Sequence, residues 1–176
     1  MISKRIAVIS AICIMISSLS NCSNEFDPKE YVESHLDINT ESAQIDTVIE
    51  PPRSFNGDGN TYVVLNFSDN PITEEIKEKE NWKQLPLTEN LATIIYGGEK
   101  DGKQIDAFVC DYDGGAKTGI PLIPQIENGY YYFKDRHLDA KDIYDDSKIF
   151  ERESYNYTIA IYDEDTNLLY FWSEDT

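Results

Sequence analysis

Long apolar runs are scarce in this 176-residue chain. The longest, Ile6 to Ile16, is 11 residues, about half of the roughly 20 that a helix needs to cross a bilayer. No later stretch is long enough, so no membrane-spanning helix is expected. Basic residues are also few: 15 Lys and Arg stand against 33 Asp and Glu, a formal net charge of −18. That shortage excludes nucleic acid as a partner, because such binding neutralises phosphates with cationic side chains. With 2 His and 3 Cys there is no zinc-spaced set. A Walker loop, a dinucleotide fingerprint and a G-x-S-x-G elbow are missing too. No cofactor is expected. The chain has no internal repeat and no low-complexity segment.

What is present begins with the leader. Lys4 and Arg5 form a positive start, Ile6 to Ile16 an apolar middle, and Ser17 to Asn21 a small, polar end before Cys22. That order marks a secretory signal peptide, expected over residues 1–21. Leu19-Ser20-Asn21-Cys22 resembles the lipobox of bacterial lipoproteins. The resemblance implies cleavage before Cys22 and acylation of its thiol and amine by palmitate-type chains. A diacylglyceryl group plus an N-acyl chain exceeds the two lipid signals that stable anchoring needs. Asn21 departs from the Gly, Ala or Ser usual at that place. The alternative is an ordinary secretory cut after Ser20, where Ser18 and Ser20 form a small-x-small pair. Either way the chain is expected outside the cytoplasm; with the lipid, it sits on the outer face of the cell membrane.

Losing Lys4 and Arg5 leaves 13 basic residues against 33 acids from Cys22 onward, a net charge of −20 over 155 residues. That length suits one domain with a real core. Its charge would attract cations: metal ions, cationic peptides or basic protein faces. The plainer alternative is that acidity keeps an exported protein soluble. Cys13 leaves with the leader and Cys22 takes lipid, so Cys110 stands alone and packing must hold the core.

Phe26-Asp27-Pro28-Lys29-Glu30-Tyr31 reads as a helix start. Asp27 is the N-cap, Pro28 fits N1, Glu30 the capping box, and Phe26 with Tyr31 the hydrophobic staple. Tyr31, Val32, His35 and Leu36 share one stripe. Residues 37–60 show no period and read as linker, so 22–60 is expected to be tether, short helix and linker. The domain proper is expected over 61–176. Thr61 to Phe67 is a strand. Asn70-Pro71 offers a cap for a helix over Ile72 to Trp82, with Glu75 and Lys79 paired. Leu91 to Tyr96 and Gln104 to Tyr112 read as strands joined through Gly97 to Gly102. Gly119 to Asn128 is loop, Tyr130 to Phe133 a strand, and 135–152 acidic and irregular. Tyr155 to Tyr162 and Leu168 to Trp172 form a C-terminal β-hairpin. The expected class is α+β, with a mainly antiparallel sheet and one or two short helices.

Much of residues 57–170 also resembles a group of uncharacterised exported proteins of Gram-positive bacteria. The matching stretches are GDGNTYVVLNF, WKQLPLTENL, NGYYYFKDRH and YTIAIYDEDTN. The resemblance implies export and carries no activity.

Several constellations bear on chemistry. Asp163, Asp165, Asn167 and Glu174 match calcium-ligand positions 1, 3, 5 and 12 of an EF-hand loop, but Leu168 replaces the required Gly and the flanks read as strands. A hairpin turn uses the same residue types for local backbone bonding. Asp111 and Asp113 lie on a Gly-rich turn. Asp135, Asp139, Asp142, Asp145 and Asp146 form an acidic loop. Cys110 and His137 are the pieces of a thiol-hydrolase pair, set against a buried Cys and a packing His. Tyr130 with Tyr132, and Tyr170 with Trp172, share strand faces; exposed, they would serve recognition, and buried, the core. The sequence thus points to a surface-anchored acidic module, not an enzyme, that binds a cationic peptide, basic protein or cell-wall polymer. A cell-envelope hydrolase using carboxylates or Cys110, and a structural envelope protein, are the alternatives.

Overall fold

The computed structural model describes residues 26–50, 55, 57–108 and 121–176. The leader, Cys22, Cys110, Asp111 and Asp113 therefore lie outside the described residues. None of the described helices is long and apolar enough to cross a membrane.

The first element is α1 (Pro28–Leu36). Asp27 caps it as expected, accepting from the amides of Lys29 at 2.9 Å and Glu30 at 3.3 Å. Phe26 meets Tyr31 at a ring separation of 5.4 Å, closing the staple. The chain leaves through Asp37 in the left-handed region, φ 53°. It does not then become linker. Ile38, Thr40 and Ala43 are buried, and Gln44–Ile49 forms β1, which pairs antiparallel with β2 (Gly59–Asn66). The strand escapes a reading by periodicity because most of its side chains are exposed, as on a sheet edge. The boundary expected at residue 61 falls inside β2, and α1 shares the core of the sheet.

The next helix is shorter than expected. α2 spans Thr73–Lys77, with no side-chain cap from Asn70. Trp82 opens β3 (Trp82–Gln84) instead of ending the helix. Glu75 and Lys79 do not pair with each other. Glu75 accepts from the Asn39 amide at 2.8 Å, and Lys79 meets Asp37 at 2.9 Å, so both tie α2 to the turn after α1.

A second departure is α3 (Glu89–Tyr96), where a strand was expected. Thr88 caps it, its hydroxyl accepting from Leu91 N at 3.2 Å. Leu91, Ile94 and Ile95 are buried at the i, i+3, i+4 spacing of a helix face. Gly97 ends it with φ 78°. A small hairpin follows, β4 (Gly98–Lys100) and β5 (Lys103–Ile105), its turn where the Gly cluster placed it.

The remaining strands are β6 (Gly129–Asp135), β7 (Asn156–Asp163) and β8 (Leu168–Asp175), with a 3-10 turn at Ile149–Glu151. The main sheet has six strands in the order β1-β2-β8-β7-β6-β3, each pair antiparallel. The C-terminal hairpin and the α+β class are as expected. Both faces of the sheet are covered. Val63, Leu65, Phe67, Tyr132, Tyr162 and Phe171 pack under α1 and α2. Tyr62, Tyr131, Ile159, Ile161 and Trp172 pack under α3, Ile123 and Ile149. Two buried faces explain why β7 and β8 lack polar alternation. Each fully buried large apolar side chain contributes roughly 1.5–3 kcal/mol.

Candidate functional site

The residues singled out by their chemistry are mostly kept apart. Asp163 shapes the β7-β8 turn, accepting from Asp165 N at 2.9 Å and Thr166 Oγ1 at 2.7 Å. Asn167 takes φ 57° and accepts the Tyr162 hydroxyl at 2.8 Å. Glu174 lies six positions along β8 from Leu168, at the other end of the strand, about 20 Å away. The EF-hand match is thus a hairpin turn plus a remote acid. Among the described residues no group of three or more His, Cys, Asp or Glu is arranged to hold a metal.

The acidic loop is likewise occupied with itself. Asp142 accepts from Tyr144 N, and Asp145 from Ser147 N and Oγ, which holds the Asp145 carboxyl below its usual range. Asp146 is buried and accepts from Thr88 Oγ1 at 2.5 Å, bracing the start of α3. Asp135 is buried against Arg152. A surface cleft of about 380 Å³ runs here, lined by Asp139, Asp142 and Asp145 but also by Lys141, Lys148 and Arg152. His137 accepts from Asp139 N through Nδ1 at 3.2 Å. Tyr132, Tyr170 and Trp172 are buried and Tyr130 partly so, which removes those strand faces as exposed recognition surfaces.

A different place gathers aromatic rings and acid. The register sets Asp135, Tyr157 and Glu174 opposite one another across β6, β7 and β8. Directly opposed residues in antiparallel strands project to one face, here the α3 side. Beside this row a cavity of about 300 Å³ is lined by Ile94, Asp106, Phe108, Phe150, Tyr155, Tyr157 and Glu174, among others. Phe108 lies flat on Trp172, with ring centres 4.1 Å apart and planes within 11°. The same ring stacks towards Tyr157 at 6.4 Å. Its backbone is fixed by N–H donation to Ile95 O at 3.2 Å and by accepting from Leu122 N at 2.8 Å. Tyr155 meets Tyr157 edge-on at 6.1 Å.

The acids at this end of the sheet are treated differently. Asp175 pairs with Arg136 Nη1 at 2.6 Å. Asp135 pairs with Arg152 Nη2 at 2.7 Å. Among the described residues the Glu174 carboxylate accepts only the Trp172 indole N–H, at 3.0 Å, and no Lys or Arg reaches it. Burial pushes its pKa up, against the lowering effect of the indole bond. Tyr157 is 4% exposed as a residue, and among the described residues its hydroxyl makes no hydrogen bond; burial first, and the charge of Glu174 second, raise its pKa well above the usual value. A half-buried carboxylate without a counter-ion, walled by rings, suits a cation.

The calcium-loop spacing includes Glu174 but none of the other residues of this cavity. Its parts come from α3, the segment after β5, the 3-10 turn, β7 and β8, and no local spacing joins them. No protein-family model matches the chain, and no curated protein or solved structure is similar to it.

Proposed function

We propose that this protein is an exported lipoprotein, acylated at Cys22 and held on the outer face of the cell membrane, where its acidic domain binds a cationic partner. The leader and Leu19-Ser20-Asn21-Cys22 support the anchor. A net charge of −20 from Cys22 onward repels anionic head groups, so attachment rests on the lipid. The observation that supports the cationic partner is Glu174, a carboxylate in an aromatic cavity with no ion pair among the described residues. A cationic peptide, a basic protein or a positively charged cell-wall polymer fits that chemistry.

Two measurements test the reading. Metabolic labelling with a fatty-acid analogue should mark the wild type and leave Cys22→Ser unmarked, with mass spectrometry placing the mature terminus at residue 22. Isothermal titration should show polylysine binding to the protein at near-physiological salt. An unlabelled wild type cut elsewhere, or absence of polylysine binding, defeats the corresponding half.

A further inference from the structure

We infer that the cavity between α3 and the ends of β7 and β8 is a binding site for one primary alkylammonium group, with Glu174 as its counter-charge. The inference deepens the cationic-partner reading and rests on it. The site is built: Phe108 is held against Trp172, and the indole N–H orients one Glu174 oxygen at 3.0 Å. That leaves the second carboxylate oxygen and the Tyr157 hydroxyl as acceptors. Asp106 adds negative charge at the lining.

A primary ammonium carries three N–H donors, whereas a quaternary one carries none and would leave those acceptors unmet. The stem of such a ligand finds Ile94 and Phe108, which suits an alkyl chain rather than a bare metal ion. About 300 Å³ is room for a chain of lysine length, at the small end of ordinary ligand pockets. The aromatic wall already attracts this group within the fold: Lys100 Nζ lies 5.9 Å from the centre of the Phe150 ring. The charged and titratable groups facing the site are Glu174, Asp106, Tyr155 and Tyr157, with Lys100 beside Phe150. The other acids of this sheet end are neutralised by Arg136 and Arg152.

The chain supplies its own reporter. It has 2 Trp. Trp172 donates to Glu174, whereas the Trp82 indole nitrogen is buried on the opposite face without a partner among the described residues. In ¹H–¹⁵N spectra of the full-length protein in a non-ionic detergent, butylammonium should move the Trp172 indole signal saturably and leave Trp82 still. Glu174→Gln should weaken the titration by about tenfold or more. An unchanged Trp82 signal certifies that the variant is folded, and Tyr157→Phe, which keeps the ring, should weaken it less. Tetramethylammonium should bind at least about tenfold more weakly than butylammonium. A lysine-containing peptide and 1,5-diaminopentane distinguish a polypeptide side chain from a free amine, and saturable binding of either supports the site.

Unsaturable movement, equal movement of Trp82, undiminished binding by Glu174→Gln, or parity of tetramethylammonium would each overturn it. Retained polylysine binding alongside any of these results overturns the cavity while sparing the cationic-partner reading. Saturable butylammonium without polylysine binding supports the cavity and removes the polycationic partner.

Discussion

Arg152 grips one oxygen of Asp135 with two nitrogens, Nε at 3.1 Å and Nη2 at 2.7 Å, while the other oxygen accepts the His137 amide at 2.9 Å. Asp135 is 1% exposed, so this carboxylate has traded water for three fixed donors. The pair fastens the segment after the 3-10 turn to the end of β6. Removing one member of a buried pair leaves the other charge uncompensated, at a cost of roughly 3–5 kcal/mol. Arg152→Ala should therefore lose about that much in urea unfolding at pH 7. Adding Asp135→Asn to it should recover a large part. A loss under about 1 kcal/mol would mean the bridge is no better than an exposed one.

Gly129 begins β6 at φ 152°, and a Cβ there would lie 2.0 Å from the Tyr162 carbonyl oxygen. That oxygen belongs to the paired strand β7, so relief requires breaking the ladder. Gly129→Ala should cost at least about 3 kcal/mol, an unusually large loss for a single methyl group. Thermal melting of the variant checks it. Gly102→Ala is the control, because a Cβ there meets nothing within 4 Å, and only the backbone strain of a positive φ applies.

The same two strands show what the sequence could convey. β7, β8 and their turn were legible because aromatic and β-branched runs flank a cluster of Asp, Thr and Asn. The cap of α1 was legible because Asp27, Pro28 and Phe26 act on near neighbours. α3 was not: Thr93, Ile94 and Ile95 are β-branched and argue for a strand, and burial under the sheet overrode that preference. β1 was hidden because an edge strand exposed on most positions leaves no alternation to read. The cavity was beyond reach, since Phe108 finds Trp172 only after the sheet is assembled.

His35 carries a pH dependence with a definite sign. Burial, opposed in part by its bond to the Tyr31 carbonyl, lowers its pKa from 6.5; Arg136 and Lys134 lower it further and Asp175 raises it. Its Nδ1 lies 2.8 Å from Tyr31 O, which places the proton of the neutral ring on Nδ1. A depressed folded pKa means the unfolded chain takes the proton first. His35 thus favours the fold fully above the unfolded value of 6.5, and that contribution declines as pH falls through 6.5 towards the folded value. His35→Gln should be less sensitive than wild type to a fall from pH 7.5 to about 5.5. Parallel unfolding curves for both proteins over that range would remove His35 as the cause.

Glu174 works in the opposite sense. Its folded pKa is raised from 4.5, chiefly by burial, so the folded chain binds the proton more tightly than the unfolded one. The ionised carboxylate is then a cost to the fold at neutral pH, relieved as pH falls through the folded pKa and gone below about 4.5. Glu174→Gln keeps an oxygen to accept the Trp172 indole proton and removes the charge. Without ligand it should be more stable than wild type at pH 7, because the raised pKa makes the ionised carboxylate a cost to the fold. The two proteins should converge below about pH 4. Saturating butylammonium should reverse the neutral-pH order, because it binds the wild-type fold and holds it by mass action. If Glu174→Gln is less stable at pH 7 without ligand, the carboxylate contributes to folding, and its place in the cavity no longer argues for a missing cation.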